Sequence, residues 1–382
     1  MSSSMLKNQL FFLLTFLLIE KALQLTKGKK EIFEETQIKN MKISNRLIRG
    51  SVGDFCFFPQ GHITKEALEF YDKLSEEGVG IIYTGYATIS DYDQFDDSGV
   101  FRIDKDEYIE EYKKLTSVIH KNNRKIIMQI VHIGGQSYTK TTNKLYSPSK
   151  VINPMTNRTT YEMTKEDILR IEDDFVKAAI RVKKAGFDGV EIHGAHFYLI
   201  SEFLSPIFNK RTDEYGGNDE NRARFLIEII EKIRKAVGND FIISLKINCD
   251  DNYPGGITEE GFIIASKLAE KAGVDIIQIS GMDWFKPKIK NILFFDMTKK
   301  IADILNIPVV LIGNVRNVDS IQNILDNTKV EYVGMARPLI CEVDLVKKWS
   351  NGDLKNAKCI SCNSCIKKLS SCVFNKGKRL YP

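Results

Sequence analysis

Lys125-Ile-Ile-Met-Gln-Ile-Val131 is apolar at almost every position, broken only by its first residue and by Gln129. A strand with one wet face alternates apolar and polar residues, whereas a strand buried on both faces reads as a continuous aliphatic run. Ile81-Ile-Tyr-Thr84, Phe241-Ile-Ile-Ser-Leu-Lys-Ile247 and Val309-Val-Leu-Ile312 repeat the pattern. Working outward, eight candidate strands emerge: Leu47–Val52, Gly80–Thr84, Lys125–Val131, Gly189–Ile192, Phe241–Ile247, Ile276–Ile279, Val309–Ile312 and Tyr332–Met335. Amphipathic helical patterns separate them, over Thr64–Glu77, Lys105–Asn122, Glu166–Ala185, Asn221–Val237, Glu259–Ala272 and Asp319–Asp326. Thr64 and Thr164 stand at N-cap positions, and Gly78, Gly186 and Gly273 at C-cap positions. Eight strand–helix units in about 300 residues predict an α/β fold, a (β/α)8 TIM barrel. The competing open, doubly wound sheet lacks its usual mark, because no G-x-G-x-x-G follows any strand.

The 382 residues are 43% hydrophobic, with 55 basic and 50 acidic side chains, so a disordered chain is excluded. A net charge of +5 spread along the chain argues against nucleic acid as a partner. Seven cysteines are too few for a secreted disulfide scaffold, and four of them, Cys359, Cys362, Cys365 and Cys372, crowd the C-terminus. The sequence divides into an N-terminal apolar extension (1–28), a barrel (29–350) and a short cysteine-rich extension (351–382). Within the first, residues 10–19 are apolar but too few to span a membrane, which takes roughly 20. A helical extension or early start codon, a membrane-surface anchor and an export signal are the readings open there; the expectation is a cytoplasmic protein without a membrane span.

Chemistry in such barrels sits at the C-terminal ends of the strands. In order, these ends carry Gly50-Ser51-Val52-Gly53, Thr84-Gly85, Gln129 and His132, Glu191 through Tyr198, Lys246 and Asn248, Ser280-Gly281, Gly313-Asn314 and Ala336-Arg337. His132, His193 and His196 are three of only five histidines. They raise a metal-dependent hydrolase as an alternative, although only Glu191 joins them as a carboxylate where such sites need more. Gly313, Ala336 and Arg337 follow strands seven and eight, the common phosphate position of these barrels. Small residues on strand one, an amide and a cation between suit a phosphorylated planar cofactor. The segment from His132 to Met163 reads as a loop over the mouth.

The stretch His193-Gly-Ala-His-Phe-Tyr-Leu-Ile-Ser-Glu-Phe-Leu-Ser-Pro-Ile-Phe-Asn-Lys-Arg-Thr-Asp-Glu-Tyr-Gly-Gly-Asn-Asp-Glu-Asn-Arg222 resembles the signature of the old yellow enzyme family of FMN-dependent NADH:flavin oxidoreductases. Asn45-Arg46, Gln129-Ile-Val-His132, Gly313-Asn314 and Met335-Ala-Arg337 agree with it in order. The resemblance implies an ene-reductase that passes hydride from NAD(P)H through FMN to the C=C bond of an activated alkene. By the same resemblance, Gln129 meets the pyrimidine edge of the flavin and Lys246 its N1–C2 carbonyl. Gly50, Ser51 and Gly85 line the ring, and Gly313, Asn314, Ala336 and Arg337 hold the phosphate. His193 and His196 donate to the substrate carbonyl, and Tyr198 protonates the alpha carbon. Phe197 departs from the family's usual Gly, which predicts a narrower mouth; Lys246 replaces a frequent Arg, and Ala336 a common Gly, tolerable at negative φ.

Cys359-x2-Cys362-x2-Cys365-x6-Cys372 resembles the region after the barrel in the iron–sulfur branch, which includes 2,4-dienoyl-CoA reductase. A [4Fe–4S] cluster, a four-cysteine zinc site and no metal are the three readings of that spacing. The partners expected are a small-molecule substrate and, in an assembly, further copies of the chain. A non-catalytic flavin electron-transfer protein is the remaining alternative.

Overall fold

In a computed structural model of the chain, the structure describes residues 29–53, 59–93, 99–137, 144–285, 291–367 and 372–375. The N-terminal extension, with its apolar run at 10–19, lies outside the described residues. Eight strands run parallel in one ring: β1 (Leu47–Arg49), β2 (Ile81–Thr88), β3 (Lys125–Val131), β4 (Gly189–Gly194), β5 (Ile242–Asn248), β6 (Ile276–Ser280), β7 (Val309–Ile312) and β8 (Tyr332–Met335). The ring closes because β1 pairs with β8 through Leu47 and Val333 and with β2 through Ile48 and Ile81. This is the (β/α)8 barrel expected. Between the strands run α1 (Lys65–Glu76), α2 (Tyr108–His120), α3 (Lys165–Lys184), α4 (Asp219–Val237), α5 (Glu259–Ala272), α6 (Phe295–Ile304) and α7 (Val318–Asn327). The chain then forms α8 (Arg337–Cys341) and α9 (Leu345–Ser350).

The aliphatic runs follow from burial on two faces. On β5, Ile243, Leu245 and Ile247 point outward into the core shared with the helices, while Ile242 points into the barrel. The inward set, Ile48, Ile81, Tyr83, Ile127, Ile242, Ile276, Val310 and Tyr332, forms one cluster with Ile38, Met41 and Ile43. Those three belong to an antiparallel hairpin of Thr36–Ile38 with Met41–Ile43, which plugs the N-terminal end of the barrel. Above this plug the inward residues turn polar: Gln129, Glu191, Ser244 and Gln278, all buried. The helix signals are met. Thr64 accepts from Ala67 N at 3.1 Å, Thr164 forms a capping box with Asp167, and Gly78, Gly186 and Gly273 adopt φ of 97°, 84° and 113°.

Strand ends differ from the sequence reading. β1 stops at Arg49, so Gly50 follows the strand, and β2 continues to Thr88 through a register shift between Tyr83 and Tyr86. A bulge of this kind turns one extra side chain inward, here Tyr86. The loop from His132 to Met163 carries a 3-10 turn, Gly134–Gln136, and a short pairing of Tyr146–Ser147 with Tyr161–Glu162. Helix α6 escaped the sequence reading because Ile292-Leu293-Phe294-Phe295 blurs its period. Among the described residues no helix is long and apolar enough to cross a membrane.

Ile38→Ala removes a hydrocarbon plug from the barrel floor and is expected to cost about 2–5 kcal/mol in urea unfolding, as buried Ile→Ala changes do. An unchanged unfolding midpoint would show that the hairpin does not seal the core.

Candidate active site

The strand ends enclose a cavity of about 1200 Å³ including its open mouth. Its floor begins at Ser51, whose hydroxyl lies 2.7 Å from both Thr84 O and Gln129 Oε1 and shares its one proton between these two acceptors. Gln129 Nε2 donates in turn to Glu191 Oε2 at 2.6 Å. The amide of Gln129 is thereby oriented and retains one N–H and one lone pair. Lys246 stands beside it, in register with His193 on β4 and Gln278 on β6. Burial pulls the Lys246 ammonium down from its ordinary range; Glu191 opposes that shift and Arg49 adds to it. Burial drives Glu191 up to about 7, against Lys246, Gln129 and Ser244.

One wall is built by the turn after β4. His193 and His196 meet edge to face at 5.1 Å, and His193 meets Tyr198 at 4.8 Å. His193 Nδ1 accepts from Ala195 N at 3.2 Å, which places the ring proton on Nε2. His196 Nε2 pairs with Ser280 Oγ at 2.8 Å, and its backbone N–H donates to Asn248 Oδ1 at 3.1 Å. Burial keeps both imidazoles neutral, with His196 down to about 3. Burial also raises the Tyr198 phenol, helped by Asp93 and opposed by Tyr86. His196 and Phe197 both hold left-handed backbone, φ 62° and 57°, an uncommon pair for residues with side chains. Gln136 Nε2 fixes that turn by donating to both carbonyls, at 2.8 and 2.7 Å. Phe197 corrects an expectation. It is buried against Phe208 and Met282, away from the cavity, so it anchors the turn and does not narrow the mouth.

The opposite wall is Gly313, Asn314, Val315, Arg316, Ala336 and Arg337. The carbonyl oxygen of Leu293 lies against the place where a Cβ on Gly313 would stand, so only glycine fits. Ala336 has φ −111°, which lets an alanine occupy its position. Arg316, unremarked in the sequence, has a buried Nε that finds no hydrogen-bond partner among the described residues. The C-terminal extension seals this corner. Asn363 accepts from Arg337 at 2.7 Å, Ser361 donates to Asn314 at 3.0 Å, and Cys365 reaches the cavity.

Several sequence candidates stand apart from the cavity. Gly50 packs on Ile312, whose methyl lies 3.0 Å from its would-be Cβ, and Gly85 sits in the β2 bulge; neither lines the cavity. His132 faces Asp93 at 3.3 Å and the rings of Tyr92 and Tyr146, away from the other two histidines, so the three do not form one site. Tyr86 and Arg316 join the cavity unannounced. The glycine beside the β2 run and the basic residue two positions past Asn314 were their available signals.

The sequence pattern of the NADH:flavin oxidoreductase / NADH oxidase family matches residues 31–356. The chain belongs to this family. An NADH oxidase from Thermoanaerobacter brockii is 35% identical over 348 residues, 88% of this chain and 53% of that protein, so the chain spans about half its length. An NADPH dehydrogenase from Clostridium acetobutylicum is 31% identical over 315 residues, covering 81% of this chain and 91% of the other. The solved old yellow enzyme homologue from Zymomonas mobilis, at 22% identity, superposes with a TM-score of 0.75 over 85% of this chain and 94% of its own, which shows the shared fold. The family's description is of NADH:flavin oxidoreductases and NADH oxidases.

The residues present fit FMN. Arg316 Nε, which finds no partner among the described residues, and the half-buried Arg337 guanidinium, whose Nη1 donates to Asn363, offer charged N–H donors to a phosphate at one end. Lys246 and the oriented Gln129 amide offer a cation and a hydrogen-bonding edge at the other. Cys359, Cys362 and Cys365 lie close to the Arg337 guanidinium. Thiolate donors suit an iron–sulfur cluster. Among the described residues no three His, Cys, Asp or Glu side chains close on a single metal ion.

Removing either guanidinium, by Arg316→Ala or Arg337→Ala, is expected to weaken FMN binding about 10- to 150-fold. That corresponds to the roughly 1.5–3 kcal/mol of a hydrogen bond to a charged group. Riboflavin affinity, measured by the same fluorescence titration, should stay within a few-fold; equal losses for both ligands would place the phosphate elsewhere.

Proposed function

We propose that the chain is the FMN-binding barrel of an oxidoreductase that carries hydride from NAD(P)H to the C=C bond of an activated alkene, an enone or an enoyl or dienoyl thioester. FMN, when bound, supplies the hydride chemistry. Gln129 orients its pyrimidine edge and Lys246 places positive charge beside it, while Gly313, Asn314, Arg316, Ala336 and Arg337 hold its phosphate. His193 donates Nε2–H to the alkene's carbonyl oxygen, and His196, set by Ser280 and Asn248, supplies the second donor. Two neutral donors fixed before the reaction stabilise the oxyanion that forms as the β-carbon is reduced. Tyr198, protonated at any neutral pH because burial raises its phenol, holds the proton for the α-carbon.

The observation that carries this reading is the packing of His193 against both His196 and Tyr198 in a wall facing the two arginines. His193→Ala with His196→Ala should lower alkene reduction about 10²- to 10³-fold or more, the value of lost oxyanion donors. NAD(P)H oxidation with a one-electron acceptor should persist within a few-fold. Retained alkene turnover would overturn the assignment. Because His196 titrates at about 3, its protonated form is absent above pH 5. The alkene step, followed by stopped-flow, should therefore show no acid limb from these imidazoles between pH 5 and 8; a limb near 6.5 that His196→Asn removes would contradict their burial.

Cys365 on the cavity wall favours a second redox centre beside the flavin. We infer that Cys359, Cys362, Cys365 and Cys372 hold a [4Fe–4S] cluster. Anaerobically prepared protein should carry about four irons and four sulfides per chain. Stoichiometric zinc, or protein free of iron, would refute the cluster.

A further inference from the structure

One buried acid has no part in the steps above. Glu191 is fully buried on β4, one inward position below His193. Its Oε2 accepts from Gln129 Nε2 at 2.6 Å and its Oε1 from Ser244 Oγ at 3.3 Å. Gln129 and Lys246 both line the cavity, so a single side chain separates the carboxyl from whatever fills it. The groups facing Glu191 are few. From β2 comes Tyr83, whose hydroxyl donates to Ser244 at 3.2 Å, and from β5 come Ser244 and Lys246. Strand β6 contributes Gln278, and β4 itself the neutral His193. Arg49 of β1 acts on Lys246, and Tyr332 of β8 lies beyond Tyr83. Lys246 is the one cation among them acting directly on the carboxyl.

We propose that Glu191 is a redox-linked proton store, binding a proton when FMN in the cavity gains two electrons and releasing it when those electrons leave. This rests on the FMN reading. The balance is simple. Hydride from NAD(P)H brings two electrons and one proton, leaving the cofactor one unit more negative. A second proton, from solvent, converts the Glu191 carboxylate to the neutral acid; reoxidation reverses both. A new negative charge across one side chain, in surroundings of low dielectric, disfavours a second anion. Burial already holds Glu191 near neutrality, with Lys246 as its counterweight, so the added charge moves its titration through the physiological range. Glu191 touches neither substrate nor cofactor. It is a positioning residue, acting through Gln129 and Lys246.

The test is a potentiometric titration of the FMN-loaded full chain between pH 6 and 8. A two-electron couple shifts about 30 mV per pH unit for each proton taken up, so one proton gives about 30 mV and two give about 59 mV. The wild-type slope should exceed 30 mV per unit and approach 59 mV within this window. Glu191→Gln should hold about 30 mV throughout, and equal slopes in the two proteins overturn the proposal. Should Glu191→Gln fail to retain FMN, reduced-minus-oxidised infrared spectra of wild-type protein carrying 13C-glutamate replace it. A protonated glutamate carbonyl band must appear on reduction, and its absence overturns the proposal. Protein that binds no FMN sinks the cofactor reading itself, whereas FMN-loaded protein with a 30 mV slope sinks only the proton store.

Discussion

A β-strand offers alternate side chains to opposite faces, and in a closed ring of eight parallel strands this period sets nearly everything else. Each strand turns every second residue inward, so function must be stacked along the barrel axis. The chain uses its lowest layer for hydrocarbon, sealed from below by Ile38, Met41 and Ile43. The next inward step brings Gln129, Glu191 and Ser244 in register, and the step above brings His193, Lys246 and Gln278, with Ser280 one step further. A slip of one residue in any of these strands would exchange its polar set for its aliphatic one.

Polar groups buried in such a place carry a cost unless they are satisfied. Ser51, Gln129 and Glu191 meet it as a chain of hydrogen bonds, which fixes the Gln129 amide before any ligand arrives. The turn after β4 is held in a different way. Two consecutive left-handed residues are strained, and Gln136 together with the buried Phe197 over-determines them. That strain points His193, His196 and Tyr198 into one wall. Preorganisation of this kind spares reorganisation when charge develops in the cavity.

Much of this was legible in the sequence, for identifiable reasons. Double-sided burial wrote the strands as aliphatic runs, and the threonine caps and following glycines bounded the helices. The histidine pair, Lys246, Gln129, Gly313 and Arg337 all occupy strand ends, which is where the fold places chemistry. The misses share a cause: each depends on a contact distant in sequence. The β2 bulge that turns Tyr86 inward needs the register of β3 to be seen. Phe197 looked like an obstruction because its pocket is made by Phe208 and Met282. Gly50 stands next to the cavity in sequence but presses on Ile312 of β7. His132 sits at a strand end like the other histidines, yet Asp93 from a separate loop claims it.

The account's central claim is that the cavity between the histidine wall and Arg316–Arg337 is an FMN site. The most direct measurement is the visible spectrum of the gently purified chain, with native mass spectrometry before and after addition of FMN. The account predicts a yellow protein, or one that becomes yellow, carrying one FMN per chain and retaining it through gel filtration. A colourless chain that takes up no flavin under those conditions would contradict it.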